Sequence, residues 1–117
     1  MIEEFVSHTF AMRNAAHLAH WATKSYAEHV ALGDFYDGLI DKLDAIVEAH
    51  QGQFGLIKEV RIVSVSPKGI KGHIKTEMKW LEANRDKIAQ KATMIQNMVD
   101  DLIALYATTL YKLENLS

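Results

Sequence analysis

Residues 17–48, HLAHWATKSYAEHVALGDFYDGLIDKLDAIVE, decide how the rest of the chain is read. They place three histidines, four aspartates and two glutamates around a single turn. Ser25-Tyr26-Ala27-Glu28 fits a capping box, in which the serine hydroxyl and the glutamate carboxylate each satisfy a backbone N–H left without a partner in the first helical turn. The box predicts a helix start near Tyr26, with His29 in its first turn. His20 stands a similar short distance before the turn, so an antiparallel helical hairpin makes His20 and His29 neighbours.

The carboxylates follow a different geometry. Asp37, Asp41, Asp44 and Glu48 alternate steps of four and three, which aligns them in one stripe along the second helix. Asp44 lies roughly 22 Å along the helix from His29 at about 1.5 Å rise per residue. No single ion within one chain can touch both ends. The two groups are either unrelated or meet across a two-fold axis, where a partner's carboxylate end faces this chain's histidine end and two equal sites result.

His20-Trp21, then His29, then Leu43-Asp44, then Glu48 resembles the ferroxidase segment of the Dps (DNA-protection-during-starvation) branch of the ferritin-like proteins. In that family a His-Trp on the first helix and a His opening the second face an Asp and a Glu of a symmetry mate. The resemblance implies a two-fold site in which His20 and His29 of one chain and Asp44 and Glu48 of another bind Fe(II), with zinc or manganese as other fitting ions. Oxidation by peroxide or oxygen and storage of ferric mineral inside a closed homo-oligomer are implied with it. His17, Trp21, Asp34 and Asp41 are expected around that site. Two departures stand out: the His20–His29 interval is about three residues shorter than the family's, and Gly33, with Asp34 beside it, occupies the position of a further acidic residue.

The periodicity on either side predicts helices. Over residues 2–23, Ile2, Phe5, Thr9, Met12, Ala16 and Ala19 recur at helical spacing, and Glu3 and Glu4 sit in the first turn, where the helix dipole favours acid. The second helix, about 26–51, is expected to bury Val30, Tyr36, Leu39, Ile40, Leu43, Ile46 and Val47 and to stop at Gly52. Residues 52–72 break the pattern with Gly52, Gly55, Pro67, Gly69 and Gly72, while residues 60–65 have strand-like composition. This crossover has room for a short helix or for a lone strand pairing with a symmetry mate, and the sequence decides for neither. Helical spacing resumes over 73–116, but one helix of that length would run about 60 Å. A break is therefore expected at the capping box Thr93-Met94-Ile95-Gln96, with Asn84-Arg85-Asp86 as the alternative. The result is an all-α, ferritin-like four-helix bundle, one domain over 1–117, with a long crossover between helices 2 and 3.

Composition bounds the function. At 117 residues, with 49% apolar and 24% charged side chains, the chain suits one globular domain. The lack of cysteine excludes disulfides and thiolate metal sites. No apolar run reaches a membrane span and no signal-peptide pattern opens the chain, so a cytoplasmic protein is expected. A net charge of −2 does not favour nucleic acid, and with helices expected almost from Met1 to Ser117 the lysine-rich tail with which Dps proteins coat DNA is not expected, nor is nucleic-acid binding. Lys58, Arg61, Lys68, Lys71, Lys75 and Lys79 read as a solvated basic face balancing the acidic stripe.

Other features carry less. His73 and Glu77, four apart, could chelate a cation, though one such pair is a weak signal. Trp21 is expected at an interface beside the site, Trp80 partly exposed, and Asp100 and Asp101 toward solvent. No glutamate is followed by histidine three residues on, as the di-iron centre of ferritins requires. Neither a phosphate-cradling glycine loop nor a serine or cysteine nucleophile is present in pattern. Two other functions remain open: a non-enzymatic helical assembly protein with a degenerate site, and a zinc- or nickel-dependent bundle hydrolase using His17, His20 and His29 in the manner of DinB-like bundles.

Overall fold

Apolar residues at helical spacing close into four α-helices in the computed structural model, which describes residues 1–117. They are α1 (Ile2–Ala22), α2 (Tyr26–Phe54), α3 (Ile70–Ala89) and α4 (Thr93–Asn115). All six residues predicted to face inward from α1 are buried. On α2 the core is set by Ala31, Leu32, Phe35, Leu39, Leu43 and Ile46, whereas Val30 is exposed and Tyr36, Ile40 and Val47 lie at the margin. Phe35 meets Tyr106 edge to face, with centroids 5.1 Å apart, at the centre of the bundle.

Cross-helix pairs fix the directions. His20 on His29 makes α1 and α2 antiparallel, and Lys42–Asp101 together with Phe35–Tyr106 does the same for α2 and α4. Lys75–Glu114 and Arg85–Asp100 set α3 against α4. His8 meets Glu77 and Trp80, while residues 67–70 lie beside Ala19 and Ala22, so α3 opposes α1. The helices therefore run up, down, down, up, and α1 and α4 each pack against both α2 and α3. Two successive "down" helices need a connection that travels the whole bundle, the single long crossover of ferritin-like connectivity.

That crossover, residues 55–69, contains neither helix nor strand. It is tied to α1 by the Lys58 N–H donating to Glu3 Oε2 at 2.9 Å and by the Ser7 hydroxyl donating to the Arg61 carbonyl. The Glu3 carboxyl is held below its usual range first by that backbone N–H. Two termini differ from expectation. Helix α2 continues through Gly52 to Phe54 and stops at Gly55, whose φ of 101° is open to glycine at no steric cost. The break between α3 and α4 falls where expected but not through Thr93. Gln90 and Lys91 turn the chain with φ of 48° and 61°, and Ala92 opens α4 without a side-chain cap. Asn84-Arg85-Asp86 lies inside α3.

Candidate functional site

The turn between α1 and α2 is short because both ends are capped locally. Ser25 Oγ accepts from the Glu28 N–H at 3.2 Å, the first half of the predicted capping box. The second half is absent: the Ser25 N–H donates to Thr23 Oγ1 at 3.1 Å instead of to Glu28. This tight turn brings His20 and His29 face to face, ring centroids 3.6 Å apart and 17° from parallel. His20 Nδ1 meets the His29 carbonyl at 2.5 Å, and His29 Nδ1 meets the His20 carbonyl at 2.8 Å. A carbonyl only accepts, so each Nδ1 carries a proton and Nε2 is the ring nitrogen that holds the lone pair whenever the ring is neutral. The buried side-chain polar atoms without partners are His50 Nδ1 and the Tyr106 hydroxyl, so both unpartnered Nε2 atoms are open to solvent.

Gly33 explains its own departure from the acidic pattern. A Cβ there would stand 3.1 Å from His20 Cε1 and 3.3 Å from His20 Nδ1. With a Cβ there the His20 ring would have to give way by a few tenths of an ångström. The short interval and Gly33 are thus one device that presses the two imidazoles together.

His17 takes a different role from a third ligand. Its ring stacks on Tyr36 at 4.1 Å, leans on Trp21 at 4.2 Å and stays 6.1 Å from the His20 ring. Arg13 lies 5.1 Å over the other part of this cluster, the Tyr36 ring. Burial, then Arg13 and His20, push the His17 pKa below its ordinary value against an opposing pull from Asp37. Trp21 is 66% exposed beside it.

Asp34, Asp37, Asp41, Asp44 and Glu48 all face solvent, and none has a cation within 4 Å. Helix α2 is continuous between them, so Asp44 and Glu48 stand roughly 22 and 28 Å along the helix from His29 of their own chain, at about 1.5 Å rise per residue. No three His, Asp or Glu side chains converge within the chain to hold a metal ion.

A family of unknown function, DUF5856, matches residues 20–113. The chain belongs to that family. The match begins at His20, so it takes in the His20–His29 clasp, Gly33 and the whole carboxylate stripe, and leaves His8 and His17 outside. No curated protein and no solved structure matches the chain.

This DUF5856 chain holds a second polar group that periodicity alone did not reveal. Glu77, which with His73 made only a weak candidate chelate, is buried and pairs with His8 of α1, at 2.8 and 3.1 Å from Nδ1 to the two carboxylate oxygens. His8 in turn stacks on Trp80 at 3.7 Å, 13° from parallel. The Tyr106 hydroxyl is buried without a partner, and burial, reinforced by the charge on Glu77, drives its pKa well up. One signal was available: Glu77 falls between Ile74 and Leu81 at the inward spacing of α3, a position for an apolar residue.

Proposed function

We propose that the protein is a subunit of a two-fold homo-oligomer that binds Fe(II) between chains and oxidises it. His20 and His29 of one chain would supply two imidazoles, and Asp44 and Glu48 of its partner two carboxylates. The observation that carries this reading is the reciprocal Nδ1–H to carbonyl pair, which fixes both tautomers and leaves two Nε2 lone pairs free. Histidines that bind metals are commonly oriented in this way, by a second hydrogen bond to a backbone carbonyl. The exposed, unpaired carboxylates of Asp44 and Glu48, four to five turns further along α2, support it as the complementary half.

In the reaction two Fe(II) ions each give one electron to a peroxide molecule. Its O–O bond breaks, both oxygens leave as hydroxide, and the Fe(III) ions hydrolyse with release of protons. With oxygen as oxidant, two Fe(II) ions give two electrons to O₂, which takes up two protons and leaves as hydrogen peroxide. Carboxylates favour this direction because hard anionic ligands stabilise the ferric product more than the ferrous substrate.

The test is aerobic Fe(II) oxidation followed by ferric absorbance, beside Asp44→Asn. The wild type should outrun buffer, and the variant should lose at least about tenfold of that rate, as for loss of one oriented ligand. A wild type no faster than buffer would sink the reading and leave a helical assembly protein whose clasp is structural. An Asp44→Asn variant that still binds Co(II) through intact histidines, with His17→Ala abolishing it, would favour the bundle-hydrolase arrangement.

A further inference from the structure

The crossover presents backbone that nothing in the chain uses. No N–H from Glu59 through Ser66 finds an acceptor, and the only carbonyl engaged is that of Arg61, which takes the Ser7 hydroxyl. The segment is also nearly straight. Arg61 accepts from Ser7, and Pro67 lines one cavity with Ala19, levels about 18 Å apart along α1. Six residues of chain reach about 20 Å when fully extended, so residues 61–67 run largely extended. Ile62 and Val63 are 64% and 40% exposed. An extended, β-branched segment with unpaired N–H and C=O groups is a template for another strand.

We propose that residues 60–65 pair antiparallel with the same residues of a second copy of this chain, the two-fold axis passing at Ile62. The register follows from the alternation of a strand. The Arg61 carbonyl faces α1, so the N–H and C=O groups of Val60, Ile62 and Ser64 face outward. Hydrogen-bonded pairs must come from that set. Ile62 opposite Ile62 of the second copy engages all three, with Val60 opposite Ser64 on either side. It sets Arg61 against Val63, whereas a shift of the axis to Arg61 would put two guanidinium groups face to face. A shift to Val63 leaves Val60 outside the ladder.

A two-stranded ribbon alone is marginal in water. The flank supplies apolar surface: a groove of about 530 Å³ beside residues 62–65 is lined by Leu18 and Trp21, 43% and 66% exposed, together with Arg13 and His17. The second copy would cover this groove as it pairs. The proposal rests on the crossover and the groove that flanks it, and stands whether or not iron binds.

The chain has no cysteine, so one introduced thiol reports the contact. Residues in a hydrogen-bonded antiparallel pair stand about 5.5 Å apart at Cα, within disulfide reach. Ile62→Cys, treated with diamide as the two-electron oxidant, should form at least about tenfold more covalent dimer than Ala104→Cys, an exposed α4 control. Equal yields would overturn the pairing. Should Ile62→Cys fail to fold, amide exchange of the unmodified protein decides. Val60, Ile62 and Ser64 should be protected at high protein concentration and lose protection on dilution. Fast exchange at every concentration would overturn the proposal, including the case in which the edge serves an unrelated extended peptide.

Discussion

Single side chains decide how close α1 and α2 come. Gly33 costs the helix the propensity an alanine would give, up to about 1 kcal/mol, in exchange for room for His20. Gly52, also helical, has nothing within 4 Å of where its Cβ would be. Gly52→Ala should therefore raise unfolding free energy by roughly 0.5–1 kcal/mol in urea titration. Gly33→Ala should gain none of that and should displace the His20 ring signals in NMR spectra. An equal gain at both positions would show that the clasp yields freely. His50 is a second case. It is buried with Nδ1 unpartnered, and burial lowers its pKa, as it does those of His73 and His17. The unfolded chain then binds more protons below its own histidine pKa of about 6.5. Stability is complete above that pH and falls as pH drops below it, by about 1.4 kcal/mol per pH unit for each extra proton bound by the unfolded state. His50→Leu should flatten this slope in denaturant titrations between pH 6.5 and 5. An unchanged slope would move the effect to His17 and His73.

At the scale of helices, periodicity was a good guide and end chemistry a poorer one. The inward residues of α1 were legible because nothing competes with burial at those positions. The long crossover was legible from its glycines, its proline and the length mismatch of the final helical stretch. The α3–α4 break was placed correctly for a reason the molecule does not use. Two residues in left-handed conformation make the turn, a choice that leaves no composition signal because Gln90 and Lys91 are ordinary helix formers. Lys91 is exposed at φ 61°, so Lys91→Gly should stabilise the protein by about 0.5–1 kcal/mol in thermal unfolding. A loss would mean that the turn's strain is relieved by lysine contacts. Of the candidate site, the meeting of His20 and His29 was legible from the capping box. The Glu77–His8 pair was not, because burial of a carboxylate depends on a partner some seventy positions away.

For the whole molecule, the question is whether one two-fold axis could serve both proposed interfaces. The midpoint between His29 and Asp44 on α2 falls at Tyr36 and Asp37, and Tyr36 packs on His17 and Arg13. Those two α1 residues line the groove beside residues 62–65. An axis at that level would place Asp44 and Glu48 of the partner against His20 and His29 while bringing the two crossovers together. The arrangement has a stoichiometric signature. A chain carrying His20→Ala and His29→Ala, and one carrying Asp44→Asn and Glu48→Gln, should each be inactive in iron oxidation. Unfolded together in equal amounts and refolded, half of the dimers would be mixed, and each mixed dimer would hold one intact site and one doubly damaged site. Activity should recover to about a quarter of wild type. If the site lay within one chain, mixing would recover none. Adding Ile62→Cys to both chains then separates the two interfaces. If they share an axis, oxidising the refolded mixture to covalent dimer preserves the recovered quarter. Loss of the recovered activity on oxidation would mean that crossover pairing and the iron site belong to different dimers.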